Sequence, residues 1–199
     1  YIALLLFMVH PVHTEVVASI KGRDEILSFL FVLLTFRTAL NWAENKHWFR
    51  LVLLGSFLYL SLISKVSSLP WIVVIGFTLL FVRKEPISKV IGLSAVLLLV
   101  TAFHFISINV MFDSLTRPHV FVETPFFQLE DSAQKWPSIF RAAGHYLKLL
   151  ILPGPLCSFY GFDQLPVTSW SDPKVYLSII GYSGLTFMGI KGLFKPTII

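Results

Sequence analysis

Between residues 9 and 25 the chain reads Val-His-Pro-Val-His-Thr-Glu-Val-Val-Ala-Ser-Ile-Lys-Gly-Arg-Asp-Glu, with two histidines, three acids and two bases between long apolar runs. Ionisable groups are costly in lipid, so such a cluster at a membrane boundary is by default a candidate site. His10 and His13 stand three apart with Glu15 two further on, which is enough donors for a zinc ion. Pro11 lies between the histidines, however, and should break the helix that would aim both at one ion. No second ligand cluster exists, so no metal is expected. The ordinary reading is a hydrogen-bonded turn: Thr14 or Ser19 caps a helix, and Asp24 and Glu25 complement the dipole where the next helix opens. Lys21 and Arg23 fit that reading badly, because bases oppose the dipole at a helix start. They would sit better beside a phosphate.

Further bases recur at the edges of apolar segments. Ser64-Lys65 follows the run Leu60-Ser61-Leu62-Ile63. Lys65 is either a lysine that snorkels to the interface or a point charge for a lipid-linked phosphate. Arg141, His145 and Lys148 fall at i, i+4 and i+7 of the apolar segment Trp136–Leu152, so one helical face is basic and the other apolar. Such a helix lies at the membrane interface, re-enters, or crosses; its basic face has the same two readings as Lys65. Arg117, His119 and Glu123 form a loop cluster too weak to assign. The chain shows no Gly-rich phosphate loop, nucleophile elbow or redox motif.

The elements that would hold these groups are membrane helices. The chain is 55% hydrophobic and 14% charged over 199 residues, with a mean hydropathy of +0.76. A soluble domain is about 45–50% apolar and about 25% charged. The expected class is therefore all-α and polytopic. Residues 1–9 read as the end of a span, and Tyr1 within that run, without an initiator Met or basic leader, reads as the start of a fragment of a longer protein. Helices are expected over 25–41, 49–63, 71–82, 89–112 and 173–194; the second and third are shorter than the roughly 20 residues a straight span needs.

The net charge of +5 sits in short loops between apolar runs and does not read as nucleic-acid binding. Cytoplasmic loops carry an excess of Lys and Arg. That rule places the 41–50 and 83–89 turns and the Lys191 to Lys195 end on the cytoplasmic side. The His10 to Glu25 segment, the Ser64 to Pro70 turn and the long 113–172 region then share the other side. Lys21, Arg23 and Lys65 break the bias, as anion-binding groups would. Trp136, Tyr160, Trp170 and Tyr176 suit an interfacial belt. The single Cys157 excludes an internal disulfide and a cysteine-based zinc site. The chain reads as one partial transmembrane domain, 1–199, with 113–172 as an external loop region carrying the interfacial or re-entrant helix.

Three motifs carry a resemblance. His10-Pro-Val-His-Thr-Glu15 followed by Gly22-Arg23-Asp24-Glu25 resembles the signature of the transmembrane and TPR repeat-containing O-mannosyltransferases and their bacterial homologues. Leu62-Ile63-Ser64-Lys65 is similar to that family's Leu-Ser-Lys-Glu segment, with Val66 where the family has Glu. Arg141, Tyr146-Leu147-Lys148-Leu149-Leu150, Pro153, Leu156 and Ser158-Phe159-Tyr160 follow the order of its later Arg, Tyr-Leu, Pro, Leu-Ser and Tyr segment. The resemblance covers most of residues 9–172.

It implies a GT-C type fold and an enzyme that moves a mannose-like sugar from a polyprenyl-phosphate carrier to a protein or glycan on the non-cytoplasmic side. No cofactor is implied beyond the lipid-linked donor. The catalytic carboxylate is expected in an external loop upstream of Tyr1, and tetratricopeptide repeats downstream. An inverting transfer needs a base for the acceptor proton and cations for the phosphate leaving group. Lys21, Arg23, Lys65, Arg141 and Lys148 are the candidate phosphate-binding cations, and His13 and Glu15 the supporting candidates near the chemistry. A competing reading is a non-catalytic membrane scaffold or lipid-binding subunit, which Val66 favours. A transporter ranks last, because the Pro70 break has no match in a second half. The expected location is a bacterial inner membrane, with the endoplasmic reticulum as the alternative.

Overall fold

The computed structural model describes residues 1–111, 129–154, 156–157 and 164–194. The loop residues Arg117, His119 and Glu123, the Ser158-Phe159-Tyr160 end of the third motif, and Lys195 lie outside them. Among the described residues every regular element is helical: α1 (Ile2–Val9), α2 (Thr14–Ala18), α3 (Arg23–Glu44), α4 (Trp48–Ser64), α5 (Pro70–Phe77), α6 (Ile87–Met111), α7 (Ser132–Ile151) and α8 (Pro173–Phe194). Helix α5 runs on through a π-helical turn, Thr78–Val82.

The expected breaks fall where the residue types demand. Helix α1 stops at Val9, and Pro11 opens a tight 3-10 turn over Pro11–His13, since proline cannot donate to a helix interior. Ser19 takes up the capping role, its Oγ accepting the Lys21 N–H at 3.2 Å. Asp24 and Glu25 occupy the first turn of α3.

The chain divides into two compact units, Val16–Leu115 and a second made of Tyr1–Glu15 with Thr116–Ile199. In the first, α3 to α6 run up and down beside one another. The core is a stripe of leucines on α4, Leu54, Leu58 and Leu62, all at most 1% exposed, against Ile75, Leu79, Leu93 and Leu97. The four-residue spacing puts each set on one helical face. Ala39 and Ala43 join the same core and bring α3 close. At one end Arg83 pairs with Glu44, and Lys89 Nζ donates to the Ala43 carbonyl at 3.3 Å. The turns 41–50 and 83–89 thus gather there, while Lys65 meets Asp24 and Glu25 at the other end. This is the alternation that the basic loops predict.

Among the described residues two stretches are long and apolar enough to cross a membrane: α3 with the preceding turn, Ile20–Glu44, and α6. Only 28% and 17% of their apolar windows are buried, whereas the core helix of a soluble protein would be mostly covered. Ile91, Leu98, Leu99, Phe103, Ile106 and Val110 of α6 all face outward. A soluble monomer rarely exposes so continuous an apolar surface. Helix α4 and the 66–82 helix are apolar but shorter. Helix α8 has the 22 residues expected of it.

In the second unit α7 and α8 lie side by side and run parallel. Arg141 meets Asp172, Gly144 faces Ser178, and Gly181 faces Leu147. Parallel neighbours need a connection that runs back along α7, and the described parts of residues 152–172 are non-helical.

Candidate functional site

The Gly22 to Glu25 part of the first motif meets the second motif in the Val16–Leu115 unit. The Ile20–Gly22 turn buries Gly22, where a Cβ would overlap the backbone carbonyl of Val16. Only glycine allows this approach, and it starts α3 at Arg23. On the facing element Lys65 leaves α4 in an extended conformation (φ −161°). Its ammonium donates to Glu25 Oε1 and lies 3.5 Å from Asp24 Oδ2. Ser67 Oγ reaches Glu25 Oε2 at 3.5 Å.

Beneath this cluster two buried serines clamp the helices together. Ser61 Oγ donates to the Ser28 carbonyl at 2.9 Å, and Ser28 Oγ lies 3.2 Å from the Ser61 carbonyl and 3.3 Å from that of Lys65. The hydrogen bond that Lys65 donates to Glu25 raises its pKa against the effect of burial, and the charges of Glu25 and Asp24 add to it. Lys65 is therefore a protonated lysine already held by two carboxylates. Lys21 and Arg23 are exposed and form no ion pair among the described residues.

The second gathering of bases lies between α7 and α8. Asp172 caps α8, its Oδ1 accepting the Lys174 N–H at 2.9 Å, and Pro173 follows at the first helical position, where its missing N–H costs nothing. The other carboxylate oxygen accepts from Arg141 Nη1 at 2.7 Å and from Thr168 Oγ1 at 3.3 Å. The Lys174 N–H, then the charge of Arg141, outweigh partial burial and hold Asp172 below its ordinary pKa. From this pair a cleft of about 500 Å³ runs between the helices, lined by Arg141, His145, Lys148, Lys174, Ser178 and apolar neighbours. The predicted basic face of α7 thus turns toward α8. Burial, then Lys148 and Arg141, lower the His145 pKa, favouring the neutral ring. The opposite face of α7 exposes Trp136, Ile139, Tyr146 and Leu150.

His13 packs its ring on Phe7, centroids 4.5 Å apart, and Glu15 is exposed on α2. His10 Nδ1 accepts the Val12 N–H at 3.2 Å. Its Nε2 then carries the proton and donates to the Leu150 carbonyl at 3.1 Å, which satisfies a last-turn carbonyl of α7 that has no partner within its helix.

The five expected phosphate cations thus divide. Lys21, Arg23 and Lys65 belong to one unit, and Lys65 is ion-paired; Arg141 and Lys148 belong to the other, joined there by Lys174. Sequence reading passed over Asp172 and Lys174, although Asp-Pro is the signature of a helix start. It also missed Asp24 and Glu25 as partners of Lys65, which forty residues of intervening chain conceal.

Along 197 residues, 95% of the chain, the sequence is 26% identical to the protein O-mannosyl-transferase F38B6.6 of Caenorhabditis elegans, of which it spans 26%. The chain is similar to protein O-mannosyl-transferases. Shorter stretches match more strongly: 60% identity over 35 residues with human protein O-mannosyl-transferase TMTC4, 18% of this chain and 5% of that protein. With mouse protein O-mannosyl-transferase TMTC3 it is 49% identical over 45 residues, 23% of this chain and 5% of that one. The chain therefore spans about a quarter or less of the length of these curated relatives. No protein-family model and no solved structure matches it. These relatives are animal proteins. They lend no support to the expected bacterial inner membrane, whereas the endoplasmic reticulum is compatible with them.

Proposed function

We propose that this chain is part of a membrane glycosyltransferase of GT-C type. It moves a mannose-like sugar from a polyprenyl-phosphate carrier to a protein acceptor on the non-cytoplasmic side, in the membrane of the endoplasmic reticulum. The observation that carries this reading is similarity to a protein O-mannosyl-transferase along nearly the whole chain. The structure adds a physical reason for two of the motifs: Gly22 to Glu25 and Ser64-Lys65 form one ion-paired junction between α3 and α4.

In this reading the base that takes the acceptor proton lies on an upstream loop, and tetratricopeptide repeats follow downstream. Lys21 and Arg23 in one unit, and Arg141 and Lys148 in the other, are the cations offered to a leaving phosphate. Lys65 holds Asp24 and Glu25 in place, and His13 and Glu15 orient groups nearby. Helix α7 lies at the interface, its outer face exposing Trp136, Ile139, Tyr146 and Leu150.

The scaffold reading is the second, favoured by Val66 and by the pairing of Lys65 with Asp24 and Glu25. Donor turnover by the full-length protein in liposomes, offered polyprenyl-phosphate sugars, separates the two. Transfer that falls with Arg23→Ala and Arg141→Ala supports the enzyme. A folded protein that turns over no donor supports the scaffold.

A further inference from the structure

We propose that the cleft between α7 and α8 holds the phosphate of the lipid-linked donor, with Lys174 and Lys148 as its cationic ligands. This deepens the glycosyltransferase reading and rests on it. The cleft carries more positive charge than its own acid cancels. Arg141 pairs with Asp172 at 2.7 Å, and the charge of Lys174 also acts on that carboxylate; neither Lys148 nor Lys174 has an acid at ion-pair distance among the described residues. Three cations, Arg141, Lys148 and Lys174, line the cleft against the single carboxylate of Asp172, so an entering anion meets a surplus of positive charge. The Arg141 guanidinium is held in place by the residue that caps α8.

The same cleft is apolar along part of its wall, through Leu147, Ile151 and Leu177. A phosphate joined to an isoprenoid chain matches both features; inorganic phosphate matches only the first. Gly144 makes the shape possible. A Cβ there would overlap the Ser178 side chain, so glycine lets the helices approach at one point while the lysines frame the space beside it. The Lys65 junction in the other unit lacks this surplus, since its ammonium already faces two carboxylates.

The test is equilibrium binding of a short-chain polyprenyl phosphate to the purified full-length protein, with inorganic phosphate and the uncharged polyprenol as competing probes. Losing one charge-assisted contact weakens binding about tenfold or more. The expected result is a loss of that size in Lys174→Glu and in Lys148→Glu, retention in Lys174→Arg, and no change in Lys191→Glu on the same helix. Circular dichroism and elution position show that each variant is folded. Wild-type affinity in both reversal variants overturns the proposal, as does binding of inorganic phosphate as tight as that of the lipid. Turnover measured in parallel separates the two readings. Turnover with binding unmoved by either reversal sinks the cleft and leaves the enzyme standing. Binding lost by reversal in a protein that turns over no donor keeps the cleft as a lipid-phosphate site and removes the transferase.

Discussion

At the scale of single residues, the α3–α4 junction shows how differently two kinds of polar contact contribute. The side chains of Lys65, Asp24 and Glu25 are 36%, 42% and 40% exposed, and ion pairs this open to water contribute about 0.2–1 kcal/mol. The Ser28 and Ser61 hydroxyls are buried, and leaving a buried partner unsatisfied costs about 1–3 kcal/mol. Lys65→Met should therefore lower thermal stability less than Ser61→Ala does, as measured by tryptophan fluorescence in detergent. Gly22→Ala should cost about 1–3 kcal/mol, because its Cβ meets backbone that cannot rotate away; unchanged melting would show that the turn is looser than described. The Lys65 pKa is raised above its ordinary 10.5. Its stabilising effect is complete below that value and is lost as pH climbs through the raised one, so alkaline titration should open this junction while Lys65→Met shows no such phase. The sequence marked these residues as unusual but not as partners. Forty positions separate Glu25 from Lys65, and only the return of α4 alongside α3 brings them together.

At the scale of elements, helix ends follow from local chemistry. Pro11 ended one helix, Asp24 and Glu25 opened another, and Pro153 follows the end of α7, so the helix positions were legible to within a few residues. The neighbour of α7 was not legible. Its 141, 145, 148 spacing defined a basic face but left open whether that face met water, headgroups or protein. The structure turns it toward α8 through Gly144 and Ser178. Gly144→Val should separate these helices and reduce the protection of α8 amides in hydrogen exchange, with α3 to α6 unaffected. Asp172 lies below its ordinary 3.8, so its contribution is present above that value and lost as pH falls through the lowered one. Acid titration should change the fluorescence of Trp170, whose ring lies 6.1 Å from that of Phe140 on α7. Asp172→Asn keeps an N-cap side chain but removes the negative charge that faces Arg141 and should flatten that acid phase; a persisting phase would assign the transition elsewhere.

At the scale of the whole molecule, the outward apolar faces of α3 and α6 predict that the protein stays with the membrane pellet through an alkaline carbonate wash and leaves it only in detergent. Release into the supernatant would show that those faces are covered by protein and not by lipid. Composition and periodicity by themselves determined the all-helical class, the helix positions and the alternation of basic turns, because hydrophobicity, proline geometry and charge act over a few neighbouring residues. Tertiary structure alone decided which charges are already compensated. An ion pair depends on distance in space, so Lys65 and Lys174 look alike in sequence. Only packing shows the first held by two carboxylates and the second left facing an open cleft.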